Sequence, residues 1–196
     1  DDKYLTLYWN ASIRTLFFIT SILIVNAWKK ERFYARIDHL TGISNRYNFS
    51  EMLCAEVERY KRFNHPLSII YFDVDNFKTV NDQFGHKVGD DLLKLVATVL
   101  RDHFRTVDTI ARLGGDEFVI LMPETASKEA SGKIRVLQND LLEKMKLKGW
   151  PATFSFGIAT FANSILSADE MLKKADLLMY KAKQSGKNDI MSKTYS

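Results

Sequence analysis

The sequence predicts an α+β fold in which helices sandwich one mostly antiparallel sheet, and three observations lead there. Stretches with apolar residues at helical spacing are interspersed with short β-rich runs. Two of those runs are separated only by Gly114-Gly115-Asp116-Glu117, a hairpin pattern in which glycine supplies the positive φ a tight turn needs. Hydrophobic residues make up 46% of the 196 and charged residues 27%, the balance of a chain that buries a real core. The length suits one ordinary domain plus an extension.

The extension comes first. From Tyr8 to Trp28 the only charge is Arg14, and Leu16 to Val25 is apolar all round, so a helix here lies in protein or in lipid. The stretch is long enough to span a bilayer, although its purely apolar centre is short for that. Lys29, Lys30, Arg32 and Arg36 follow, as expected on the cytoplasmic side. Residues 1–36 are therefore expected to hold a transmembrane or signalling helix at about 8–28 and a basic linker, with a buried or oligomerising helix as the alternative. No basic n-region or small-residue cleavage site marks a signal peptide. The first residue is Asp1 and not Met, so the chain is expected to be a piece of a longer protein.

Residues 37–196 read as the α+β domain. Tyr47 to Arg62 has a helical stripe (Phe49, Met52, Leu53, Val57, Tyr60), with Asn48 or Ser50 as candidate caps and Pro66 closing it. Leu67 to Phe72 is a buried-strand pattern, and Val88 to Phe104 returns to helix. Thr109 to Leu113 and Phe118 to Met122 are the arms of the hairpin. A helix over Lys128 to Lys146, a strand over Thr153 to Thr160 and a helix over Ala168 to Gln184 complete the order. Gly186 is a candidate C-cap, and Asp189 to Met191 a candidate edge strand.

Charge and cysteine content exclude some classes. A net charge of +4 fits a polyphosphate site and an ordinary surface equally, and no dense basic stripe points to nucleic acid as a partner. The single cysteine, Cys54, excludes an internal disulfide and a cysteine-based zinc cluster. Its place in an amphipathic helix predicts a plain buried thiol.

Chemistry gathers at two places. In Phe72-Asp73-Val74-Asp75-Asn76-Phe77-Lys78 an apolar strand runs straight into two acids. Mg²⁺ needs only one or two carboxylates plus substrate phosphates. Asp116 and Glu117 stand at the hairpin tip, where glycines permit close approach to a phosphate. If the two strands are neighbours, Asp73 and Asp116 converge on one site. Two carboxylates with two metals can then bridge an α-phosphate, activate a hydroxyl and neutralise leaving pyrophosphate.

Arg112-Leu113-Gly114-Gly115-Asp116-Glu117-Phe118 resembles the signature of the GGDEF family of bacterial diguanylate cyclases. More motifs agree in order: Asp38-His39-Leu40-Thr41-Gly42 with Asn45-Arg46, then Asp73 to Lys78, Asn81-Asp82, Gly85-His86 and Gly89-Asp90. Ser155-Phe156-Gly157 and Ala175-Asp176 through Tyr180 to Ala182-Lys183 and Gly186 follow, so the likeness covers about Asp38 to Ile190. It implies a palm-like fold, as in polymerases and nucleotidyl cyclases, and the condensation of two GTP into cyclic di-GMP and two pyrophosphates by a homodimer. It further implies two Mg²⁺, with Mn²⁺ as a substitute, held by Asp73 and Asp116 and by the carbonyl of Val74. Asp116 would be the base for the 3′-hydroxyl, Glu117 a supporting acid, and Lys78 a neutralising charge. Lys183 and Lys187 would hold the terminal phosphates. The family usually has Arg at the latter position, and lysine lacks its bidentate fork. Asn81 and Asp90 would read guanine, whose N1–H and amine match a carboxylate, with His86 ordering the loop. Arg105-Thr106-Val107-Asp108 matches the family's inhibitory product site. The catalytic domain is then expected in the cytoplasm and the whole protein in the inner membrane. Two rivals remain: a domain that binds nucleotide without turnover, and a cyclase with relaxed base choice.

Overall fold

The computed structural model describes residues 9, 13–22, 36–163 and 166–196. The chain divides into two units, Asp1–Arg36 and Ile37–Ser196. In the first, residues 13–22 are helical and expose Leu16, Phe17, Phe18 and Ile19. The rest of the 8–28 stretch, apart from Trp9, and the basic linker up to residue 35 lie outside the described residues. Among the described residues no helix is long and apolar enough to cross a membrane.

The second unit runs β1 (Ser44–Asn45), α1 (Arg46–Phe63), β2 (Leu67–Asp75), α2 (Phe77–Phe84), α3 (His86–His103), β3 (Thr109–Gly114), β4 (Glu117–Met122), α4 (Ser127–Lys148), β5 (Thr153–Phe161), α5 (Ala168–Gln184) and β6 (Ile190–Tyr195). The sheet order is β1-β3-β4-β2-β5-β6. The central pairs β3–β4, β4–β2 and β2–β5 are antiparallel, and the outer pairs β1–β3 and β5–β6 are parallel. The expected α+β sandwich with one mostly antiparallel sheet is thus present.

β2 is central because all nine of its residues are buried, which only a strand covered on both faces allows. Alternation sends Ile70, Phe72 and Val74 to the face covered by α3 and α4, and Leu67, Ile69 and Tyr71 to the face covered by α1 and α5. Phe72 stacks between Phe118 and Phe156, with ring centroids 5.2 and 4.7 Å away, which ties three strands together. Each such fully buried ring is worth about 1.5–3 kcal/mol.

Several local expectations are corrected. α1 starts at Arg46, and its cap is Asn45, whose side chain accepts from Asn48 N at 3.0 Å, so neither Asn48 nor Ser50 caps it. Cys54 is exposed, not buried. Leu53 and Val57 point inward, and the next residue along is rotated by about 100° onto the outer face. Met52 is likewise 39% exposed. A short helix, α2, occupies Phe77–Phe84, where none was expected. α5 opens on a capping box between Ser167 and Glu170 and ends on Ser185, with Gly186 one residue beyond the cap.

Candidate active site

The site begins where β2 runs out. The register places Asp73 opposite Glu117 across the β2–β4 pair, and Val74 N donates to Asp116 O at 3.2 Å. Directly opposed residues of an antiparallel pair share a face, so Glu117 stands beside Asp73. The hairpin can deliver them because Gly114 (φ 140°) and Gly115 (φ 54°) take conformations that side chains resist. The two expected strands are neighbours, and Asp73, Val74, Asp116 and Glu117 gather as the sequence led one to expect.

Asp75 does not join them. It is 2% exposed, and its carboxylate accepts from Thr153 Oγ1, Ser155 Oγ and Asn188 N at 2.9–3.1 Å. These bonds tie β2 to β5 and to the loop after α5. Of the two acids at the strand end, one is structural.

Asp73 is different. Its side chain is 7% exposed and its charge partner is Lys183, with Nζ 2.7 Å from Oδ2. Burial, aided by the charges of Asp116 and Asp75, pushes the Asp73 carboxyl up to about 6 against the pull of Lys183. Lys183 reaches it because α5 lies very close to β5. A Cβ on Gly157 would come within 2.2 Å of Ala175 O and of Met179 N. Lys187 is also near the strand end, donating to Asn76 Oδ1 at 2.8 Å. Lys78 is exposed in the first turn of α2.

The oxygen donors fit a hard divalent cation, and the ammonium seated on Asp73 stands where such an ion would be drawn. Among the described residues no group of three or more His, Cys, Asp or Glu side chains converges. A metal here would complete its shell with water or phosphate oxygens.

Three supports of the hairpin went unread in the sequence. Arg112 Nη1 pairs with Asp38 at 3.0 Å and Arg112 Nε donates to Gly115 O at 2.9 Å. Burial alone would raise the Asp38 carboxyl, but bonds from Thr41 and Arg112 outweigh it and hold the group below its usual value. Arg46 Nε donates to Leu113 O at 3.1 Å and its Nη2 lies 4.0 Å from Glu117 Oε2. Tyr71 is buried near Glu117, and burial with the nearby charges of Glu117 and Asp176 pushes its phenol up, so it stays protonated. The opening motif from Asp38 to Arg46 is thus a clamp on the hairpin.

The expected base-reading residues lie around the α2–α3 junction. Asn81 Oδ1 is buried with no hydrogen-bond partner among the described residues and rests against Gly89, where a Cβ would lie 2.0 Å away. A polar atom held this way is costly unless something pairs with it. Asp90 and His86 are exposed, His86 as the first residue of α3.

Arg105 and Asp108 stand at the other end of β3, about 20 Å of strand away from the hairpin tip. Asp108 is not open to solvent. Its side chain is fully buried and accepts from Arg105 N at 3.0 Å and Arg105 Nε at 3.4 Å, with Lys133 Nζ 3.8 Å away. Arg105 also donates to Thr125 Oγ1 at 3.1 Å, and half of its side chain is exposed.

Comparison with known proteins fits this arrangement. The family model "Diguanylate cyclase, GGDEF domain" matches residues 35–189. The chain is 38% identical over 169 residues to the diguanylate cyclase DgcP of Pseudomonas aeruginosa, covering 81% of this chain and 24% of that one. It is 36% identical over 161 residues to the cyclic di-GMP phosphodiesterase NbdA of the same organism, covering 79% of this chain and 20% of that one. It thus spans a quarter or less of the length of these two relatives. Among solved structures, the coiled coil and GGDEF domain of DgcB from Caulobacter crescentus, in complex with c-di-GMP, has the same fold. The TM-score is 0.80 at 21% identity, over 89% of this chain and 94% of that one.

Proposed function

Because the chain belongs to the GGDEF family of diguanylate cyclases, we propose that it condenses two GTP into cyclic di-GMP, with one nucleotide held by each of two facing domains. The observation that carries this is the buried Asp73 set opposite Glu117 at a glycine turn, with the Lys183 ammonium already seated on it. Asp73, Asp116 and the Val74 carbonyl are the groups that would hold Mg²⁺ or Mn²⁺. The metal, when bound, supplies charge that acidifies the ribose 3′-hydroxyl and stabilises pyrophosphate as it leaves.

The chain's own groups do the rest. Asp116 takes the 3′-hydroxyl proton, and Glu117, with Arg46 and Tyr71 nearby, supports the same charge. Each 3′-oxygen forms a bond to the α-phosphorus of the opposite nucleotide while that phosphorus releases its bond to the β-phosphate oxygen. Two pyrophosphates leave and the ring closes. Lys78, Lys183 and Lys187 neutralise phosphate charge. Asn81 and Asp90 pair with guanine, and adenine, with an acceptor at N1 and no 2-amino group, would leave Asp90 without a partner. Arg105 and Asp108 bind product away from the catalytic groups. The N-terminal unit, whose helix at residues 13–22 exposes apolar side chains, is read as a membrane or signalling segment; the cytoplasmic placement of the catalytic domain is part of the same proposal.

The test is product mass and pyrophosphate release after incubation with GTP, with ATP and with both. Cyclic di-GMP from GTP alone is the expected result, and Asp116→Asn abolishes it with the fold intact. NbdA, a similar protein named for cyclic di-GMP hydrolysis, motivates the rival of a domain that binds without turnover. Nucleotide binding with no pyrophosphate release would establish that rival.

A further inference from the structure

We propose that Lys183 is an exchangeable cation, seated on Asp73 while the site is empty and passed to the phosphates when a metal takes Asp73. This deepens the function proposed above and rests on Asp73 being a metal ligand. The two partners differ in freedom. Asp73 is fixed within the central strand with its side chain 7% exposed, whereas Lys183 sits in the last turn of α5 with 32% of its side chain exposed. A four-carbon stem anchored there can swing its ammonium between neighbouring anions. What holds it now is the crowding of Asp73, Asp116 and Asp75, a concentration of negative charge around one buried carboxylate.

The ammonium lies 2.7 Å from Asp73 Oδ2, so a dication drawn to the same carboxylate meets a like charge at contact distance, and the two compete there. Lys187 is not bound in the same way. Its partner is the neutral, exposed amide of Asn76 at 2.8 Å, and leaving it separates no pair of charges. The two phosphate lysines are therefore inequivalent: Lys187 is available at once, and Lys183 only by trade. A metal arriving alone must evict Lys183 with no phosphate to receive it. With a triphosphate present the evicted ammonium has a new anion. Metal and nucleotide thus favour each other through one side chain, and by linkage the effect is reciprocal.

The experiment measures Mn²⁺ binding to the whole chain without turnover, following the paramagnetic signal of free Mn²⁺. Wild type, Lys183→Gln, Lys187→Gln and Asp73→Asn are compared, each with and without a GTP analogue whose α–β bridge cannot be cleaved. Without nucleotide, Lys183→Gln is expected to bind Mn²⁺ about tenfold tighter than wild type, with Lys187→Gln unchanged. The analogue should then tighten Mn²⁺ binding much more in wild type than in Lys183→Gln. Asp73→Asn separates the two ways of failing. If it binds Mn²⁺ as tightly as wild type, Asp73 is no ligand and the underlying site reading falls. If it loses Mn²⁺ while Lys183→Gln binds no tighter than wild type, the exchange alone is wrong. Absence of nucleotide-free binding in every form also overturns the exchange.

Discussion

At Asp73 the chain buries a carboxylate whose pKa lies above the value it has when unfolded. Between about pH 4 and 6 the folded chain therefore holds a proton that the unfolded chain releases. The stability this confers is complete below the lower value and is lost as pH rises through the upper one. Asp73→Asn keeps the shape and removes the charge, and Lys183, a third exposed, can turn to water. The variant should be more stable than the parent by about 1–3 kcal/mol at pH 8, and the gain should vanish towards pH 4. Urea midpoints at the two pH values in metal-free buffer measure this, and an unchanged midpoint at pH 8 contradicts it. Asp73, Asp116 and Glu117 were legible in the sequence because their chemistry follows an apolar strand or a glycine pair at short range. Arg46, Asp38 and Tyr71 were not, because each acts on a partner tens of residues away. The Arg46–Leu113 bond spans 67 positions. The structural role of Asp75 was not legible either, since only the fold supplies the Ser155, Thr153 and Asn188 donors.

The same division holds for whole elements. Long periodic helices and apolar strands declared themselves, since burial of one face or both leaves a period in the sequence. α2 did not, because only Val80 in its eight residues is buried. The depth of α5 against β5 was also invisible, although it decides whether Lys183 reaches Asp73. Gly157 sets that depth. Gly157→Ala would drive a methyl into the α5 backbone, which cannot give way as a flexible side chain can. A loss of about 1–3 kcal/mol in stability is expected, with α5 displaced and its lysine lifted off the strand end. Denaturant midpoints check the first. Phosphate grip checks the second, as a rise in KM for GTP that persists where the variant remains folded. A variant with lowered stability and wild-type KM would confine Gly157 to packing.

On the scale of the molecule, the proposed catalytic groups and the Arg105–Asp108 pair occupy opposite ends of β3, so under the proposed function the hairpin strand would separate production from restraint. Arg105→Ala with Asp108→Ala should leave turnover in place and weaken cyclic di-GMP binding, which titration on an Asp116→Asn background checks. Equal binding by single and triple variants would reduce the pair to a buried salt bridge. Asp108 gives that restraint a further property, because its carboxylate is sealed beneath the Arg105 backbone and guanidinium. If product binds here, it cannot meet the carboxylate until Arg105 lets go. Inhibition then has a clock of its own: in rapid mixing, the rate at which turnover slows should level off at high product and not climb with it. Under the proposed function, output governed by such a delayed brake would overshoot its steady level before settling, so a sudden supply of GTP would be answered by a pulse.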